Sequence, residues 1–221
     1  MVTTLPLFPL GTVLFPGMFL PLHLFEERYR RLMTERRHEE PVFGIVLTRR
    51  GREVGEQPEI HDLGVAASLV AAGEYADGRW DVIVMGGRRF RFVGGDWSQG
   101  YLTGEIEWLE DAAVADDGAT LAALADAAAQ QFERFLIALE RTFGEELPRK
   151  ELPADPSERA WALCARLPVE TWDKQRLLEA ATTADRLTEF IAMTRRERDL
   201  LVNTGIGGSA GSHAGLGFSP N

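Results

Sequence analysis

The sequence predicts an α+β protein, with strands first and helices second. Two observations carry that reading. Up to about residue 109, apolar residues come in short runs or alternate with polar ones, and Gly and Pro break the runs, as in strands. Beyond about residue 118 the apolar residues recur at steps of three and four, the period of a helix. Between them lies Asp111–Gly118, an acidic, alanine-rich connection; after residue 204 comes a Gly/Ser-rich tail without periodicity, expected to be flexible. The division is therefore residues 1–111, a small closed or nearly closed β-barrel with one inserted helix, residues 112–204, an α-helical bundle, and the tail 205–221.

The opening stretch, LPLFPLGTVLFPGMFLPLHLFEERYRRL, is apolar, yet Pro6, Pro9, Pro16 and Pro21 interrupt it. A signal peptide or a membrane span needs an unbroken apolar helix, which those prolines forbid, and no Lys or Arg precedes Arg28. Leu5–Phe8 and Met18–Leu22 read as strands, with corners at Leu10-Gly11-Thr12 and Phe15-Pro16-Gly17. Phe25, Tyr29, Leu32 and Met33 then fall at helical spacing. Val42–Thr48 is the next strand, ending in the turn Arg49–Arg52, and Leu63–Tyr75 a longer one. Asp77-Gly78 reads as a two-residue hairpin turn. On the returning strand Trp80, Val82 and Val84 share one face, with Asp81, Ile83 and Met85 on the other. Gly86-Gly87 marks a turn or bulge. In Arg88–Val93, Phe90 and Phe92 are expected inward, Arg89 and Arg91 outward; Tyr101–Leu109 alternates in the same way.

In the second half, Leu121, Leu124, Ala128, Phe132, Phe135, Leu139 and Phe143 form one long helical stripe, with Gly144 as its stop. Asp155-Pro156-Ser157-Glu158 has the form of a capped helix start, and that helix ends before Pro168. Further helices are expected at about 170–180 and 184–202.

At 221 residues and 45% apolar content the chain can bury a sizeable core. One cysteine, Cys164, excludes an internal disulfide framework, fits a reducing, cytoplasmic compartment, and is expected to be a buried, inert thiol. A net charge of −10 argues against a general nucleic-acid binder. The charge is uneven, however: residues 28–52 hold eight Arg against three Glu, and residues 100–160 hold fourteen acidic against five basic side chains.

Catalytic motifs fail on context. Gly207-Gly208-Ser209-Ala210-Gly211 with His213 has the letters of a nucleophile elbow but lacks a preceding strand and a following helix. Gly205-Ile206-Gly207 with Ala210 mimics a dinucleotide fingerprint with the same defect. Lys150 and Lys174 are the only lysines, and neither is followed by Ser or Thr, so there is no P-loop. His23, His38, His61 and His213 are scattered without metal-ligand spacing. Neighbouring acids such as Glu26-Glu27 or Glu145-Glu146 diverge in any regular element. The residues indicate no enzyme, no cofactor and no metal.

Along residues 5–200 the chain resembles the N-terminal, substrate-binding domain of ATP-dependent Lon protease. The resemblance is carried by the opening stretch, by FGIVL, by LGVAASLVAAGEYADGRWDVIVMGGRRFRFV, by YLTGEIEWLED, and by LPADPSERAWALCARLPVETWDKQRLLEAATTADRLTEFIAMTRRE. It implies a PUA-like pseudo-barrel followed by a helical bundle. Full Lon proteases continue into an ATPase and a Ser–Lys protease domain, and no lysine here sits in a matching context. The resemblance thus implies a stand-alone, non-catalytic module that binds polypeptide or acts as an adaptor. Expected partners are unfolded or extended polypeptide segments, with a separate protease or chaperone and a homodimer as further candidates; no membrane partner is expected. Phe15, Met18 and Phe19 on the proline corner, and strand edges near Trp80, are the candidate peptide-binding residues, although the same side chains suit a core. RNA binding through the basic 28–52 segment is the alternative function, and a small-molecule site between barrel and bundle has no residue-level support.

Overall fold

The structure, a computed structural model, describes residues 3–36, 42–50, 57–111 and 118–204. Readings that fall on Gly51 and Arg52, His38, the connection 112–117 and the tail 205–221 lie outside the described residues. The chain is α+β and divides into two compact units, Met1–Asp111 and Ala112–Asn221.

The first unit holds β1 (Thr3–Leu10), β2 (Phe19–Leu24), α1 (Glu27–Arg36), β3 (Val42–Arg50), β4 (Glu59–Glu74), β5 (Trp80–Asp96) and β6 (Leu102–Trp108). They form one mixed sheet in the order β2-β5-β4-β3-β1-β6, and β6 pairs again with β5. Only β1 and β3 run parallel. The ladder therefore closes on itself through five strands, while β2 lies outside the ring on the first half of β5.

β1 shows how the prolines fit. It is longer than expected and contains both Pro6 and Pro9. Its pairing with β6 covers Thr3–Leu7 and its pairing with β3 covers Leu7–Leu10. Each proline thus sits where β1 has a strand on one side only, so its missing N–H can face away from a ladder. The core collects Leu7, Val46, Phe90, Leu102 and Ile106, all buried. Phe8 stacks on Tyr29 of α1 at 4.3 Å between ring centres, which explains why α1 keeps its apolar stripe on that side.

At Gly86-Gly87 the structure decides between the two readings, and two other expectations need correction. Gly86-Gly87 is no turn: β5 runs unbroken from Trp80 to Asp96. Three residues of β4, Val65 to Ala67, face four of β5, Arg89 to Gly86, so this is a bulge. Phe90 and Phe92 keep the inward side as expected and Arg91 is exposed, but Arg89 is buried instead of exposed, with its guanidinium 2.5 Å from Asp111. The hairpin also has a five-residue connection, Tyr75–Arg79, instead of a two-residue turn. Arg30 shapes it from α1 by donating to the carbonyls of Asp77 and Gly78, each at 2.7 Å.

The second unit holds α2 (Gly118–Phe143), α3 (Pro156–Arg166), α4 (Thr171–Glu179) and α5 (Thr183–Thr204). α2 packs along α5, with Phe132 5.9 Å from Phe190 between ring centres, and α3 packs against both. Gly144 ends α2 in the left-handed region, φ 74°, its N–H donating to Glu140. Asp155 caps α3 by accepting from the Ser157 and Glu158 amides, with Pro156 at the first helical position. Arg186 is fully buried; its guanidinium lies 3.3 Å over the Trp161 ring and donates to the carbonyls of Leu177 and Ala180 at the end of α4. Among the described residues no helix is long and apolar enough to cross a membrane.

Candidate functional site

The strand alternation creates two faces on β2 and the first half of β5. Trp80, Val82 and Val84 of β5 are buried, and Asp81, Ile83 and Met85 are exposed. On β2, Phe19, Pro21 and His23 are exposed, while Leu20 and Leu22 are half-buried and Leu24 is buried. The register arranges the exposed set in rows: Phe19 beside Met85, Pro21 beside Ile83, His23 beside Asp81. β4 extends each row with Ser68, Ala71 and Gly73 respectively. Two apolar rows thus precede a charged one. Phe19 is 57% exposed, Ile83 42% and Met85 39%, so the apolar side chains form a contiguous exposed face. A shallow groove of about 520 Å³ crosses it, running from Pro21 and Ile83 to Gly73 and Asp81.

The proline corner positions this face. Phe15-Pro16-Gly17-Met18 is a tight turn closed by the Met18 N–H on the Phe15 carbonyl at 3.0 Å, with Gly17 at φ 74°. Pro at the second position and a left-handed Gly at the third are what a type II turn requires. The turn clamps onto β5: the Gly17 N–H donates to the Gly86 carbonyl at 2.8 Å, and the Gly86 N–H to the Met18 carbonyl at 2.9 Å. A side chain at Gly86 would collide with the Phe15 backbone, so the glycine permits the approach. The clamp sets Phe19 next to Met85.

The four candidate residues separate accordingly. Phe15 and Trp80 are buried and fill the core; Met18 is half-buried and Phe19 fully displayed. Beside Phe19 the structure sets Pro21, Ile83 and Met85, which the sequence reading had not singled out. Their signal was present, since WDVIVM is apolar on both of its faces, which a strand with only one covered face does not need.

The polar end is ordered. The Tyr75 hydroxyl donates to Asp81 at 2.5 Å, and His23 Nδ1 lies 2.6 Å from the other carboxylate oxygen. These two donors hold the Asp81 carboxyl below the usual carboxylate range, and the same bond to Asp81 pushes the Tyr75 phenol up. Arg79 pairs with Asp77 at 2.8 Å and turns Nη1 to His23 Nε2 at 3.4 Å. The hydrogen-bonded set of Tyr75, Asp81 and His23 orients a negative charge at this end of the face. Among the described residues no group of three or more His, Cys, Asp or Glu could hold a metal ion.

β2 is also the outer edge of the sheet. Because the Met18 carbonyl bonds β5, the alternating pattern aims the backbone groups of Phe19, Pro21 and His23 away from it. Pro21 therefore removes one donor from the middle of the free edge. An incoming strand would meet a gap there, whereas the side-chain face is continuous.

A sequence model described as the ATP-dependent protease La (LON) substrate-binding domain matches residues 4–196. Lon protease 1 of Hydrogenovibrio crunogenus is 28% identical over 193 residues, covering 86% of this chain and 23% of that protein. The chain thus spans about a quarter of the length of the curated relatives it matches. A crystal structure of a Lon N-terminal domain protein from Xanthomonas campestris is similar with a TM-score of 0.61 and 26% identity, covering 86% of this chain and 98% of that one. The N-terminal domain of Lon protease from Mycobacterium avium complex shares the fold, with a TM-score of 0.59 and 22% identity over 87% of this chain and 98% of that one. By its matched residues and its fold neighbours alike, the chain belongs to the Lon substrate-binding domain family.

Proposed function

We propose that this chain is a non-catalytic module that holds unfolded or extended polypeptide on the outer face of β2, β5 and β4, through Phe19, Pro21, Ile83 and Met85 with Met18 at its margin. In this reading the first unit is a PUA-like pseudo-barrel and the second a helical bundle, working in the cytoplasm as a substrate-recognition or adaptor element. One observation carries it: large apolar side chains stand exposed in adjacent rows on a sheet whose opposite side is core. Aromatic and methionine side chains tolerate varied partners, which suits a surface that meets many sequences. The interruption at Pro21 favours side-chain docking over addition of a strand at the edge.

The basic segment gives RNA binding little support. Arg28 pairs with Glu26 at 2.7 Å, Arg30 is bound to the hairpin carbonyls, and Arg31 donates to the Gln99 carbonyl and faces Glu35. These three arginines are engaged within the fold, while Arg49 and Arg50 at the end of β3 are exposed.

Fluorescence anisotropy with a labelled, extended apolar peptide tests the reading. Phe19→Ser with Met85→Ser should weaken binding by about tenfold, the loss expected when two apolar anchors no longer bury their surface, and leave thermal unfolding unchanged. Unaltered affinity in a folded double variant would overturn it.

A further inference from the structure

The face changes character along its length, and the change occurs between adjacent rows. Pro21, Ile83 and Ala71 form an apolar row; the next, about 6.8 Å further along the strands, is His23, Asp81 and Gly73. The groove spans both. Asp81 is fixed from two sides by Tyr75 and His23, and its carboxylate stays exposed. Among the described residues no lysine or arginine forms an ion pair with it. Arg79 is near, but its guanidinium is bound to Asp77 and turned toward His23. On the opposite flank Gly73 has no side chain, and a Cβ built there would touch nothing closer than the Asp81 carbonyl at 4.0 Å. An oriented anion therefore stands at the end of an apolar groove, beside an open lane.

We propose that the face selects extended segments in which an apolar side chain and a lysine or arginine are two residues apart, the apolar group on Pro21 and Ile83 and the cation reaching Asp81 across Gly73. This rests on the reading that the face holds polypeptide, and it names the class of segment preferred. The spacing follows from geometry: residues i and i+2 of an extended chain lie on one side and repeat at the same distance as the rows. A cation there completes a partly exposed ion pair next to apolar surface, whereas an acidic side chain meets a like charge.

Three labelled peptides that differ only in having Lys, Gln or Glu two residues from the apolar anchor provide the probe, read by anisotropy at low salt. The wild type should prefer Lys to Gln by about 2- to 5-fold, the range of an exposed pair, with Glu weakest, and salt should compress the series. Asp81→Asn should bind all three alike, near the wild-type affinity for the Gln peptide. Gly73→Lys, which places a cation in the lane and leaves Asp81 untouched, should also erase the preference. Equal binding of the three by wild type, or a preference that survives in either variant, overturns the proposal and leaves the binding face standing. If wild type binds none of them, the reading of the face itself falls.

Discussion

The sheet unit and the helical unit arrange their exposed apolar side chains differently. The helical unit buries Phe132, Phe135, Leu163 and Phe190 but leaves Phe143, Trp172 and Val202 exposed, and arginines tie its connections down. Arg149 bridges Glu133 and Glu140, Arg166 donates to the carbonyls of Lys150 and Glu151, and Arg186 closes the end of α4 from within. In the sheet unit β5 carries apolar residues on both faces, and only one face is covered by the core. The difference teaches that register, more than exposure, sets the sheet face apart. Phe19, Ile83 and Met85 stand in register on adjacent strands beside a clamped turn, whereas Phe143, Trp172 and Val202 are spread over three helices.

Substitution should make that contrast quantitative. Phe190→Ala, at a fully buried site, should cost about 3–5 kcal/mol in denaturant unfolding, whereas Phe19→Ala should stay within about 0.5 kcal/mol. Similar losses at the two sites would break the comparison. Cys164 gives a chemical version. Burial pushes its thiol up to about 12, so at about pH 8 a thiol reagent should modify it only as fast as the unit opens, and at once in denaturant. Prompt reaction of the native protein would show the helical unit to be looser than its packing implies. The smallest effect concerns the strapped connection after α2. The Arg149 side chain and the Leu147 amide hold the Glu140 carboxyl down to about 2 from its ordinary 4.5. A lowered folded value means stability that is present above 4.5 and lost as pH falls toward 2. Glu140→Gln should therefore lag the wild type in thermal unfolding at neutral pH and converge with it across that acid window.

Much of the fold was legible because its signals are local. The change from two-residue to helical period, the Asp155 cap and the Gly144 stop each depend on a few neighbouring residues. Arg89 was misread for the opposite reason: it is buried with its guanidinium on Asp111, a partner 22 residues away in the chain. The five-residue hairpin is likewise imposed from outside, by Arg30 on α1. Of the candidate face, Phe19 and Met18 could be read from the proline corner. Ile83 and Met85 required knowing which side of β5 is core, and Phe15 and Trp80 could be assigned to the interior only by burial.

Pro21 has a consequence beyond its own turn of chain. A surface that repeatedly meets sticky, partly unfolded chains risks serving as the first rung of a fibril, because a free strand edge invites endless stacking. With one rung missing from β2, the face proposed to hold polypeptide can do so through its side chains without offering its backbone as a seed.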